Sequence, residues 1–203
     1  MATEVWTIGH STLDYESFLA LLREAKITAV ADVRSSPYSR NEEFNREPLK
    51  KELGSDGISY VYLGAELGGR PKNPDFYCDG VADYEKMAGD ENFKSGIKRV
   101  MQGAEKYRIA LMCSEHNPLD CHRCLLVGRT LAESGISVRH ILSNGRQISQ
   151  NEIEDQLVKA CGHGGEDMFA KGRARIADAY RERARQISYR KPDPQSTGPI
   201  AAE

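Results

Sequence analysis

Within thirteen residues, Met112-Cys113-Ser114-Glu115-His116-Asn117-Pro118-Leu119-Asp120-Cys121-His122-Arg123-Cys124, the chain places three thiols, two imidazoles, two carboxylates and a guanidinium. Such groups support two kinds of chemistry. A thiolate can attack an electrophilic centre while a neighbouring imidazole or carboxylate moves the proton, or thiolates and imidazoles can hold a metal ion. The periodicity predicts a helix from Leu119 to Ser134, which sets Cys121, His122 and Arg123 near its start. Free backbone amides and the helix dipole there favour an anion and lower a thiol pKa. Arg123 can donate two parallel hydrogen bonds to a phosphate or carboxylate. Cys113 and Cys121 are the candidate nucleophiles; the competing reading makes Cys121 and Cys124 small core residues. Glu115, just after a strand, is a candidate general base in a desolvated cleft, or a nucleophile at a glycosidic carbon, or a holder of Arg34 or Arg123.

The same stretch carries the donor types for zinc in Cys113, His116, Cys121, His122 and Cys124. Its spacing lacks the two short paired turns of a ribbon or finger, and a helix from Leu119 would turn His122 and Cys124 to different faces. No metal site and no cofactor are therefore assigned. Zinc stays an alternative that would need His10 or another remote ligand.

Other chemistry-bearing residues follow strand-like runs. Gly9, His10 and Ser11 close Val5-Trp6-Thr7-Ile8, and the apolar run from Thr28 to Val33 contains Asp32 and leads into Arg34, Ser35 and Ser36. Burial without a partner would be costly for Asp32, so it should pair with Arg34, Arg123 or His10 and orient its partner. Arg34-Ser35-Ser36-Pro37-Tyr38-Ser39-Arg40 suits an oxyanion or a nucleic-acid backbone, with a solvated loop as the alternative. Leu67-Gly68-Gly69-Arg70 permits close backbone approach to a ligand.

Elements must bring these pieces together. Strand-like runs at residues 5–8, 28–33, 58–62, 108–112 and 137–141 are separated by helical patterns, one of them capped by Ser11 or Thr12 and another spanning about Asn92 to Tyr107. That alternation predicts an α/β fold: an open, mostly parallel sheet of about five strands with helices on both faces, Rossmann-like in its three layers. Ligands of such folds sit beyond the carboxyl ends of the strands, where the residues above cluster. Domain limits of 1–145 for the sheet, 146–190 for a basic helical extension and 191–203 for a disordered tail follow from composition. From Glu166 to Lys191 there are eight basic residues against four acidic ones.

Taken in order, Thr7-Ile8-Gly9-His10-Ser11, Asp32-Val33-Arg34-Ser35-Ser36-Pro37-Tyr38-Ser39, Phe44-Asn45, Tyr60, Leu67-Gly68-Gly69, Cys113-Ser114-Glu115 and Cys121-His122-Arg123 resemble the domain of unknown function 488 family, over about residues 5 to 145. The resemblance implies an α/β fold with these motifs gathered at one edge of the sheet, and it implies no reaction.

The chain of 203 residues has 28 Lys plus Arg against 30 Asp plus Glu, so it is not basic all over and nucleic-acid contact would need a local patch. Five cysteines are an odd number, which favours reduced thiols over a disulfide framework and a cytoplasmic setting. No apolar run is long enough to cross a membrane. The sequence sets no oligomeric state. The expected function is an enzyme on a phosphate-bearing small molecule or nucleic acid. Arg34 and Arg123 bind the anion, alongside Ser11, Ser35, Gly68, Gly69, Arg70 and His122. His10 and Glu115 move protons, Asp32 orients a neighbour, and Cys113 or Cys121 attacks. The competing class is a non-catalytic nucleic-acid-binding module that grips phosphates with the cleft arginines and the basic segment Lys171 to Arg190.

Overall fold

Two strands are buried at every position, β2 (Ala29–Asp32) and β6 (Ile109–Cys113), as expected for strands covered on both faces. In the computed structural model, which describes residues 3–162 and 172–191, they are neighbours inside a six-stranded sheet. Its order is β3 (Ser59–Tyr62), β2, β6, β1 (Glu4–Gly9), β7 (Ser137–Ile141), β8 (Gln147–Ser149). The first five are parallel; β8 runs antiparallel to β7. The sheet thus has one strand more than the sequence predicts. Three residues after the Gly145 turn are too few to show a period, and β8 carries the sheet past residue 145.

The chain steps from β1 to β2 and β3 toward one edge, then returns to β6 and β7 toward the other. Right-handed crossovers taken in opposite directions must lie on opposite faces. Accordingly α1 (Tyr15–Glu24) and α2 (Arg46–Ser55) cover one face, packing Phe18, Leu22, Leu49 and Leu53 on Trp6, Ile8, Val30, Ala110 and Met112. On the other face α5 (Glu91–Ala104) and the segment around Leu125 to Leu131 pack Phe93, Ile97, Leu126 and Leu131 on Ala31, Ile109 and Leu111. Each fully buried side chain of this size contributes roughly 1.5–3 kcal/mol of transfer free energy. The reversal of direction around β6 opens a crevice at the carboxyl ends of β1, β2 and β6.

Several local expectations are corrected. Asp14, not Ser11 or Thr12, caps α1, accepting from the Ser17 amide at 2.7 Å, while Ser11 occupies a turn at φ 45°. The segment expected as one helix from Leu119 to Ser134 is three pieces. Asn117 caps a 3-10 turn over Pro118–Asp120, Cys121 is extended at φ −140°, and a π-helical stretch Arg123–Gly128 leads into α6 (Arg129–Glu133). The stretch after β3, which the sequence shows to be rich in Gly and Pro, holds α3 (Gly64–Leu67) and the hairpin of β4 (Tyr77–Cys78) with β5 (Val81–Ala82), followed by α4 (Tyr84–Ala88).

Beyond the sheet, α7 (Gln150–Ala160) starts on a Ser149/Glu152 capping box and packs against α8 (Gly172–Ile187). The residues after α8 return as a strap: the Ala82 amide donates to the Tyr189 carbonyl and the Lys191 amide to the Gly80 carbonyl, each at 2.9 Å. Of the expected tail 191–203, Lys191 belongs to this strap, and the remainder, like Lys171, lies outside the described residues. Among the described residues no helix is long and apolar enough to cross a membrane.

Candidate functional site

Asp32 ends β2 fully buried, and its carboxylate is saturated with donors. Arg34 Nε donates to Oδ1 at 2.9 Å, Arg34 Nη2 to Oδ2 at 2.7 Å, the Arg34 amide to Oδ1 at 3.1 Å and the Tyr60 hydroxyl to Oδ2 at 2.7 Å. A two-pronged, hydrogen-bonded pair is the arrangement in which buried opposite charges are tolerated. Nη2 also donates to the Phe44 carbonyl, leaving Nη1 as the guanidinium nitrogen least engaged, 3.4 Å from His10 Nε2. His10 lies buried behind Arg34, stacked on Phe44 with ring centroids 4.3 Å apart. Burial, and then the Arg34 charge, lower its pKa to about 4, so the ring is neutral near pH 7. Among the described residues its Nδ1 has no hydrogen-bond partner. The structure therefore sets His10 beside Arg34 and against Phe44.

Cys113 ends β6, and Cys121 and His122 follow the Pro118–Asp120 turn. The extended backbone at Cys121 turns all three side chains together, with His122 Nδ1 at 3.8 Å from the sulfur of Cys113 and 3.8 Å from that of Cys121. His122 Nε2 lies 2.9 Å from the Val33 carbonyl, which can only accept, so Nε2 carries a proton and Nδ1 is the ring nitrogen that faces the sulfurs. Burial opposes ionisation of Cys121, but a hydrogen bond from the Cys113 thiol, the charge of Arg123 and the neighbouring His122 hold it well below an ordinary thiol. Cys113 is pushed up by donating that bond and by burial. Cys124 and His116 do not join the group. Cys124 faces His140, its thiol pushed up to about 12 by burial, and His116 is exposed beside Ser143.

Arg123 departs from the sequence reading. Its guanidinium is fully buried and donates to the carbonyls of Glu115 at 2.6 Å and His116 at 3.1 Å, clamping the loop after β6, and it does not line the cleft. Two of its guanidinium nitrogens are thus engaged by the loop after β6. Gly9 belongs to the same clamp, since a Cβ there would collide with the Glu115 carbonyl oxygen. The Ser11 amide donates to the Ser114 carbonyl at 2.9 Å, and neither Ser11 nor His10 reaches the cleft wall. Glu115 does reach it, but on the exposed rim, not in a desolvated pocket.

A cleft of about 360 Å³ joins these parts. Arg34, Ser35, Ser36 and Arg70 line it together with Cys113, Cys121 and His122. The Arg70 amide donates to Ser35 Oγ at 2.9 Å, and its exposed guanidinium sits 5.2 Å over the Tyr189 ring, with no ion-pair partner among the described residues. Gly68 and Gly69 allow close approach, though to protein: a Cβ on Gly69 would lie 2.7 Å from the His122 ring and one on Gly68 would strike Ser35. Sequence reasoning passed over Tyr84, Ile187 and Tyr189, which complete the cleft. The last two come from the end of α8 and its strap, whose basic composition suggested a solvated helix or phosphate contact. In fact Arg183 pairs with Asp120 and donates to the Leu119 carbonyl, and Arg181 pairs with Asp178 and Glu85, so two arginines of the proposed nucleic-acid grip are engaged within the protein.

No curated protein and no solved structure matches the chain. One family does, over residues 14–130, more than half of the sequence and including Asp32, Arg34, Gly69, Cys113 and the Cys121-His122-Arg123 run. With that span matched, the chain belongs to the family described as domain of unknown function DUF488.

Proposed function

We propose that the protein is an enzyme acting on a phosphate-bearing small molecule of the nucleotide type. A single observation carries this reading: one cleft is lined both by arginines and serine hydroxyls and by thiols and an imidazole. Arg70 supplies a cation without an ion-pair partner among the described residues, and the Ser35 and Ser36 hydroxyls flank it. Arg34 supplies a guanidinium whose direction is fixed by Asp32, so little ordering remains to be done when an anion arrives. Tyr38, 76% exposed on the same rim, and Tyr189 offer ring faces on which a base can stack. Glu115 is the cleft carboxylate left free of an ion pair among the described residues, and in this reading it moves a proton. His10 and Asp32 act as positioning residues through Arg34. The engagement of Arg181 and Arg183 weighs against the alternative of a purely nucleic-acid-binding module.

Calorimetric titration with a nucleoside monophosphate tests the proposal. Arg70→Ala is expected to weaken binding by about tenfold or more, as for loss of a charge-assisted contact of about 1.4 kcal/mol or more, and the wild-type affinity should fall as salt rises. Equal binding of the nucleoside without its phosphate would reject the phosphate reading.

A further inference from the structure

We infer that Cys113, Cys121 and His122 bind a zinc ion whose fourth coordination position opens into the cleft. The donor atoms already stand in the right places. With Zn–S near 2.3 Å and Zn–N near 2.0–2.1 Å, a tetrahedral ion holds its ligand atoms about 3.5–3.8 Å apart. His122 Nδ1 lies 3.8 Å from each sulfur, and all three donor atoms fall within 4.8 Å of one another. Closing the nitrogen and either sulfur onto an ion needs shifts of a few tenths of an ångström, and the whole group closes with shifts of at most about 1 Å.

The surroundings suit an ion as well. The Val33 carbonyl takes the proton of His122 Nε2 and so fixes the tautomer that ligates through Nδ1, the usual second-layer device at metal-binding histidines. The Arg123 amide lies 3.5 Å from Cys121 Sγ and can donate to a thiolate there. Two thiolates balance the double charge of the ion, so the pocket takes it without an unpaired buried charge. All three residues are nearly buried, yet all three line the cleft.

Three protein ligands with an open fourth position is the catalytic form of a zinc site, where a structural site closes with four. The spacing of Cys113 from Cys121 resembles no finger because the site is built from a strand end and a separate turn. What the ion does there rests on the reading of the cleft as an active site: beside Arg34 and Arg70 it supplies a Lewis acid for a bound phosphate-bearing substrate or for water. Its binding does not rest on that reading.

The full-length protein, purified without chelator and then reconstituted with zinc chloride, is passed over a desalting column and its metal measured by mass spectrometry. About one equivalent is expected, and cobalt(II) in its place should give intense tetrahedral d–d bands with thiolate charge-transfer absorption. Cys113→Ser and Cys121→Ser should each lose most of the metal, whereas Cys78→Ser, at an exposed thiol remote from the group, should keep it. Retention by wild type of less than about half an equivalent, a cobalt spectrum without thiolate bands, or full retention in both ligand variants overturns the inference. The cobalt spectrum of the wild type decides even if a variant fails to fold. Arg70→Ala should keep its zinc while losing nucleotide. Nucleotide binding by a protein that takes no metal sinks the zinc site alone, and zinc without nucleotide binding sinks the functional reading alone.

Discussion

Asp32 and Arg123 show how differently two buried charges can be used. Asp32 gathers four donors and fixes Arg34, whereas Arg123 turns away from solvent to hold two carbonyls of the loop after β6. Removing one member of a buried pair strands the other, so Asp32→Asn should lower the free energy of unfolding by about 3 kcal/mol or more, measured by urea denaturation. Arg34→Met combined with Asp32→Asn should restore part of that loss, because no unpaired charge then remains. A loss below about 1 kcal/mol in the single variant would mean that the pair is hydrated, not buried. That Asp32 needs a partner was legible in the sequence, because a carboxylate inside an apolar strand has to be answered by a nearby donor, and of the three candidates Arg34, Arg123 and His10 the structure selects Arg34. The role of Arg123 was not, since its partners are backbone carbonyls, and carbonyls leave no mark on residue identity.

Among the elements, α8 is held by a chain of buried polar contacts. Thr7 of β1 and Gln150 of α7 flank His140 of β7, each contact at 2.8 Å; Gln150 Nε2 donates to the Tyr180 hydroxyl at 2.6 Å, which donates to Glu154 at 3.0 Å. Tyr180→Phe deletes the last two links and leaves the Gln150 amide short of an acceptor, at a cost of about 1–3 kcal/mol. Amide exchange should quicken in α8 and in the strap that brings Ile187 and Tyr189 to the cleft, with the strands of the sheet less affected. Unchanged exchange in α8 would show that its apolar contacts alone suffice. The sheet was readable because long apolar runs alternate with helical patterns. The break at Cys121 was not: a helical period extends on paper through Leu119, Leu125 and Leu126, and only the turn over Pro118–Asp120 brings Cys121 and His122 toward Cys113. That break makes the candidate site: His122 and Cys124 diverge as the sequence implies, and it is Cys121 that the break turns toward His122 and Cys113.

For the molecule as a whole, the buried imidazoles tie stability to pH. His140 is fully buried with both ring nitrogens engaged: Gln150 Oε1 accepts from Nε2, so Nδ1 accepts from the Thr7 hydroxyl. Burial lowers its pKa from 6.5 to about 4, and His10 shifts in the same direction for the same reason. The sign follows from proton counting. Between pH 6.5 and 4 the unfolded chain takes up a proton that folded His140 refuses, so acid favours unfolding; above 6.5 neither form binds it and the term vanishes. Stability should therefore be flat in this term above about pH 7 and fall with acidification by up to roughly 1.4 kcal/mol per pH unit for each such histidine, or about 3 kcal/mol for His140 across the window. Paired urea denaturation of metal-free wild type and His140→Gln at several pH values separates this from the carboxylates, because both proteins share them. Gln keeps a donor near Nε2 but cannot titrate, so the variant, weaker at neutral pH, should lose about one proton's worth of slope between pH 6.5 and 4. Parallel curves would mean that His140 ionises in the folded protein much as it does in the unfolded chain, and the polar chain that anchors α8 to the sheet would then have to accommodate an imidazolium.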